Sequence, residues 1–430
     1  MNFFKGLFLS LLLLILTPVQ AALDIRITQG VDGAIPIAIA PFLGQAGSPQ
    51  SSRVADIVTA DLKRSGRFSP LPRDRFAQPD AAPGNVQLYL WREKSIDYLV
   101  VGKVEDDGQG QYRVTFQLLD SAGGKQLAGY SIPAARDELR MAAHQISDLI
   151  YEALLGVRGA FNTRIAYITT KTRHNVRSYV MQVADSDGYN SRTILSSSSP
   201  LMSPDWSPDN QKVAYVSFEN NRSSIYVQDV VTGSRTKVSN RKGINGAPAW
   251  SPDGTRLAIT LSEGGSPNIY VLDLSSKRLT KISNDRTINT EPVWMPDGSH
   301  ILFTSSRSGK PQIYKVSASG GSAQRVTFEG DYNSAPSVSP DGRKIAMVNG
   351  DGGRFRIAVL DLDSGETRVV TNGTLDESPS FAPNGDMIIY ATESGGRGVL
   401  AAVSADGRVR QTLLLKEGEV REPDWSNFLN

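Results

Sequence analysis

The chain of 430 residues predicts two folded units in series, an N-terminal α/β domain and a C-terminal six-bladed β-propeller. The propeller follows from a repeat. Six short segments in the second half each join an apolar anchor to a tight-turn signal: Trp206-Ser207-Pro208-Asp209-Asn210, Trp250-Ser251-Pro252-Asp253-Gly254, Trp294-Met295-Pro296-Asp297-Gly298, Val338-Ser339-Pro340-Asp341-Gly342, Phe381-Ala382-Pro383-Asn384-Gly385 and a truncated Trp425-Ser426-Asn427. The anchors are spaced 44, 44, 44, 43 and 44 residues apart, the period of a four-stranded propeller blade. The α/β unit follows from the non-repeating segment ahead of them, where strand-like and helix-like patterns alternate.

Within each repeat the turn is followed by β-branched and aromatic runs, such as Lys212 to Phe218, Ile225-Tyr226-Val227 and a polar run ending near Val238. The first copy, Arg164 to Thr169, has no aromatic-turn segment in front of it, and Trp425 has no strands behind it. The C-terminal strand is therefore expected to complete the first blade and remove both free sheet edges. Pro-Asp-Gly needs no chemistry to explain it, because Pro fixes φ early in a turn and Gly supplies a positive φ later.

Residues 1–21 read as a cleaved secretory signal: Lys5, an apolar stretch from Leu7 to Leu16, then small residues before position 22. That stretch is shorter than the roughly 20 residues that span a bilayer. Residues 22–33 hold the alternating run Leu23-Asp24-Ile25-Arg26-Ile27, bounded by Gly30 and Gly33. It is either an edge strand on its own domain or an adhesive strand that pairs with a partner's sheet edge. Residues 34–158 form the α/β unit: a buried strand at Ile35 to Phe42, helices at Ser52 to Ser65 and Asn85 to Glu93, strands at Tyr98 to Val104, Tyr112 to Leu119 and Lys125 to Ile132, and a closing helix at Asp137 to Leu155. Residues 159–430 form the propeller.

Composition narrows function mainly by exclusion. Lys and Arg are interspersed with Asp and Glu at a net charge of +2, so nucleic acid is not an expected partner. There is no Cys, no Gly-x-Ser-x-Gly elbow, no His-Glu-x-x-His pair and no phosphate loop. His144, His174 and His300 fall in different settings, and Asp209, Asp253, Asp297 and Asp341 sit in tight turns where they read as turn formers. An enzyme is not expected.

Strand order puts the long interblade loops on one face, where they crowd the channel mouth, a scaffold suited to binding. The residues just before each inner strand should line it: Met202, Asn245, Ala247, Thr290, Glu291, Asn333, Glu377 and Arg421. Several Glu near one axis would also suit a Ca²⁺ ion, although no contiguous calcium loop is present.

Gly156 to Tyr167, Pro200-Leu201-Met202-Ser203-Pro204, Asn245-Gly246-Ala247-Pro248 and Asn289-Thr290-Glu291-Pro292, in this order of parts, resemble the TolB family of periplasmic Tol-Pal components over the whole chain. The resemblance implies a monomeric, non-enzymatic periplasmic adaptor. Its mouth would bind the peptidoglycan-associated lipoprotein Pal through the eight mouth residues above, and its mature N-terminus (Leu23, Asp24, Ile25, Arg26, Ile27) would bind TolA. It further implies a role in outer-membrane integrity and division, and exploitation by colicins. Ile244 departs from the polar or basic residue expected there. The rival classes are the propeller of a hydrolase, for which the five residues after Trp425 leave no room, and a small-ligand sensor.

Overall fold

A computed structural model describes residues 24–29, 33–44, 49–174, 176–263, 265–414 and 418–429. The expected signal segment and Leu23 lie outside the described residues.

The N-terminal domain is a five-stranded sheet with the spatial order Phe68–Pro70, Ile35–Ile39, Tyr98–Asp106, Gln111–Asp120, Gln126–Ala135. The first three strands are mutually parallel and the last two antiparallel. Alternation along Tyr98–Asp106 sends Val100 to one face and Leu99 and Val101 to the other. Helices α1 (Pro49–Arg64) and α3 (Leu139–Leu155) cover the first face with Val54, Val58, Leu62, Ile146 and Ile150. Between them comes α2 (Leu88–Arg92), which is shorter than its sequence suggests and covers the second face with Trp91, fully buried. The strand Phe68–Pro70 was not expected; it is three residues long and includes a proline, too little for a periodic signal. Helix α3 ends at Gly156, whose φ of 76° is the left-handed C-terminal cap that glycine adopts most readily.

Six antiparallel sheets follow, arranged as a ring. Blades two to six run in simple order from Leu201–Trp206 to Arg410–Leu414. Blade one takes its inner strand, Glu419–Trp425, from the chain's end; this strand pairs antiparallel with Arg164–Arg173, Val420 opposite Thr169 and Trp425 opposite Ile165. The expected closure is present. Apolar packing lies mainly between blades: one cluster joins Ile225 of blade two to Ile259 of blade three, another joins Ile269 to Phe303 across the next seam, and a third closes the ring with Ile165 and Val420 against Ile389 and Leu400. Cooperativity therefore depends on having all six blades.

The turn aspartates do what the sequence suggests. Asp253 accepts hydrogen bonds from the Thr255 amide (3.0 Å) and the Ser251 hydroxyl (2.5 Å), and Asp341 repeats the pattern with Arg343 and Ser339. These turns face away from the mouth. The N-terminal domain sits against this side at blades six and one, through Tyr151 to Asp386 (2.8 Å), Arg64 to Ser186 (2.9 Å) and Asn384 to the Arg158 carbonyl (3.1 Å).

The alternating N-terminal segment, Asp24–Gln29, is a strand, but it does not belong to its own domain's sheet. It adds a fifth strand to blade six, antiparallel to Arg410–Leu414, with Asp24 opposite Leu414 and Ile27 opposite Gln411.

Candidate functional site

Each inner strand contributes one copy of the same wall element to the channel. A residue with left-handed backbone precedes a proline in every blade: Ser203 (φ 51°), Ala247 (44°), Glu291 (53°), Ala335 (49°), Ser378 (52°) and Glu422 (49°). The strand register slips at each of these points, as between Met202 and Asp205 or Thr290 and Val293. These are bulges, and six non-glycine residues at positive φ place backbone strain around one axis, a pattern associated with functional sites. The elements enclose a cavity of about 190 Å³.

The amides freed by the bulges are satisfied across the seams. The Glu291 carboxylate accepts from the Ala335 amide (2.9 Å) and the Thr304 hydroxyl (2.7 Å) of its surroundings, and Glu422 of blade one accepts from the Ser203 amide of blade two. Asp424 takes the Trp206 amide (2.8 Å) and the Ser380 hydroxyl (2.8 Å), while Asp205 takes the Trp250 amide (2.7 Å). Burial pushes Asp424 up to about 6 and, together with the neighbouring Asp424 charge, Asp205 well above the usual carboxylate range. Burial, with repulsion from Glu377 and Glu291 added, pushes Glu422 up to about 7. The axis is acidic and carries protons that ordinary carboxylates would have lost.

The expected mouth residues separate into two groups. Met202, Ala247, Thr290, Glu291, Glu377 and Arg421 are exposed or half-buried around the opening. Asn245 and Asn333 differ from expectation: both are buried and serve as loop pins. Asn245 accepts from the Ser239 hydroxyl (2.7 Å) and the Arg241 amide (2.8 Å), and Asn333 donates to Gln312 (2.9 Å) and the Glu329 carbonyl (2.8 Å). The reason is geometric. The inner strands begin at Asn245 and at Tyr332, so both asparagines fall inside strands rather than in the loops before them, and strand alternation turns Asn245 inward and its neighbour outward.

Sequence reasoning missed an apolar crown on the same long loops. Ile288 is 55 % and Phe328 74 % exposed, and Ile244, Leu375 and Met202 stand around the opening with two-fifths or more of their surface free. Ile244, singled out for departing from its expected chemistry, has Ile288 at the corresponding position one blade on. The available signal was this 44-residue recurrence of an apolar residue just before an inner strand.

One group of potential metal ligands stands among the described residues, Asp61, His144 and Asp187, at the junction of the two domains. Its acids are already engaged. Asp61 pairs with His144 Nδ1 (2.7 Å), the Ser147 hydroxyl (2.8 Å) and Arg64 Nε (3.1 Å), and Arg140 binds Asp187 and Asp185. Burial alone would raise Asp61, yet His144 and Arg64 hold its carboxyl below the usual range. A guanidinium group on each acid, Arg64 on Asp61 and Arg140 on Asp187, makes this an interdomain clasp and a poor metal centre.

Matches to known proteins cover both units. The family model described as the TolB beta propeller domain matches residues 151–429, and the one described as the TolB amino-terminal domain matches residues 23–127. The chain belongs to the TolB family. It is 58 % identical over 424 residues to the Tol-Pal system protein TolB of Thioalkalivibrio sulfidiphilus, covering 98 % of each chain. Over 237 residues, 55 % of each chain, it is 52 % identical to the TolB of Methylococcus capsulatus. The crystal structure of TolB from Acinetobacter baumannii superposes with a TM-score of 0.87 at 40 % identity, covering 94 % of this chain and all of that one. The expected family and the two-part fold of an α/β domain and a six-bladed propeller are thus both established. No described helix is long and apolar enough to cross a membrane.

Proposed function

We propose that this TolB-family protein is a periplasmic, non-enzymatic adaptor that binds Pal at the propeller mouth and TolA through its N-terminal strand, in support of outer-membrane integrity and envelope constriction at division. The observation that carries the reading is the apolar crown around a polar, strained opening. Exposed Phe328, Ile288, Ile244, Leu375 and Met202 offer the aromatic and aliphatic anchors of a protein-binding surface, and the bulged walls give it a fixed shape. The adjoining Tol-Pal names of its relatives point to Pal as the occupant. Colicins that use the same system are further candidate ligands of this mouth.

The N-terminal strand supports the second half of the reading. Among the described residues Asp24–Gln29 pairs along one edge, with Arg410–Leu414, and a strand attached in this way can exchange that edge for a partner's. A Ca²⁺ ion at the axis remains part of the proposal. Glu291, Glu377 and Glu422 would supply oxygen donors, and the repulsion that raises Glu422 is what a hard cation relieves.

The test belongs at the crown. Ala247 sits at φ 44° and Glu291 holds two cross-wall hydrogen bonds, so bulky or reversed side chains there disturb the wall itself. Ile288 and Phe328 have no such structural duty. The double variant Ile288→Asp/Phe328→Asp should keep the parent melting temperature and weaken Pal binding about 100-fold in calorimetry, as loss of two anchors does. Unchanged affinity would place Pal elsewhere.

A further inference from the structure

The rim of the mouth is charged unevenly. On blades two to four Arg241 pairs with Glu263 (2.9 Å), Arg307 with Asp285 (2.8 Å) and Lys310 with Asp331 (2.6 Å), while Arg222, Lys242 and Arg286, exposed and without an ion pair among the described residues, stand on separate loops. Where blade six meets blade one the pattern changes. Arg173 and Arg177 flank the hairpin between the second and third strands of blade one, and Arg397 opens the third strand of blade six. All three are exposed, and none of their side chains has a hydrogen bond or ion pair among the described residues. Together with Lys171 they border a recess of about 440 Å³.

The recess is on the mouth side. Thr170, three residues before Arg173, lies opposite Glu419 at the start of blade one's inner strand, and Arg421 follows two residues later. Among the described residues Glu419 is the single acid bordering the recess; it is 3.7 Å from Arg421 and accepts from the Thr170 hydroxyl at 3.4 Å. Three guanidinium groups gathered with no acid paired to them among the described residues repel one another, and a carboxylate presented by a partner relieves that repulsion with a paired, planar contact.

We propose that this notch receives acidic side chains of the protein seated in the mouth, so that the partner docks at one angle on a ring whose six walls are otherwise alike. The proposal rests on the mouth-binding reading and adds a second contact to it. The apolar crown provides anchoring on blades two to six, and the notch supplies orientation and electrostatic steering between blades six and one.

Stopped-flow association with the soluble domain of Pal, across a salt series, separates the two ideas. The triple variant Arg173→Glu/Arg177→Glu/Arg397→Glu alters only exposed side chains that lack partners among the described residues. It is expected to slow association about tenfold at low salt and to flatten or invert the salt dependence. The triple Arg→Lys variant should keep the salt slope while dissociating faster, since an ammonium cannot reproduce the bidentate contact. Parent-like association and slope in the Glu variant would overturn the proposal while leaving mouth binding intact. Parent-like binding by Ile288→Asp/Phe328→Asp would instead overturn the reading beneath it. Loss of binding to phosphatidylglycerol vesicles in the Glu variant, with Pal association unaffected, would assign the notch to a membrane surface and equally overturn the proposal.

Discussion

Replacing Glu422 with glutamine removes a titrating group from the channel wall while keeping an oxygen that accepts from the Ser203 amide. In the folded protein Glu422 holds its proton up to about 7, against an ordinary value of 4.5. Between those values the folded state binds more protons than the unfolded chain, so this residue contributes stability that is present at low pH and lost as pH rises toward 7. The displacement corresponds to roughly 3 kcal/mol at most; coupling to Glu377 and Glu291 and partial solvent access reduce this to about 1–2 kcal/mol. At roughly 2–4 °C per kcal/mol, Glu422→Gln should melt about 3–6 °C above the parent at pH 8 and level with it at pH 4. Asp148, raised to about 7 by burial, and Asp424 titrate in the same window, so the informative quantity is the difference between the two proteins' melting temperatures across pH. A difference that is flat from pH 4 to 8 would show that Glu422 is not the protonated wall residue and would refute the electrostatic description of the mouth.

Further expectations follow from the closure, the metal and the N-terminal strand. Deleting Glu419 to the C-terminus removes buried Val420 and the Trp425 anchor and bares the Arg164–Arg173 edge; a loss of roughly 3 kcal/mol or more, with self-association in sedimentation, is expected, and a monomer melting at the parent temperature would contradict closure. Millimolar Ca²⁺ should raise the melting temperature at pH 8 in the parent and not in Glu422→Gln; equal shifts in both would remove Glu422 from any cation site. Deleting residues 22–33 should abolish TolA binding in calorimetry and retain most Pal binding. In the full chain, saturating Pal should change TolA affinity, and linkage requires TolA to change Pal affinity by the same factor; equal affinities would leave two independent sites.

The propeller was legible because each blade repeats its turn: Trp-Ser-Pro-Asp-Gly carries both a buried anchor and backbone dihedrals that only a tight turn uses. Ring closure was legible from the unmatched Arg164 strand and Trp425. The mouth was legible in place but not in side-chain direction. Asn245 and Asn333 are polar residues in loop-like sequence, and only the early start of the inner strands turns them inward. The six left-handed wall residues were hidden for another reason. Ser203, Ala247, Glu291, Ala335, Ser378 and Glu422 are spread over three residue types, and none is the glycine that usually marks positive φ. Phe328 and Ile288 read as ordinary apolar residues at strand borders, because exposure is a property of the assembled ring. The seat of Asp24–Gln29 on blade six is a pairing across nearly four hundred residues, which no local pattern encodes.

Hydrogen-exchange mass spectrometry of the full-length protein with and without saturating Pal tests the central claim most directly. Protection is expected in the long loops and inner-strand starts, residues 240–247, 284–291 and 328–335, with the Pro-Asp turns at 208–211, 252–255 and 296–299 unchanged on the opposite face. Protection confined to those turns or to the N-terminal domain, with the mouth loops exchanging as in the free protein, would contradict it.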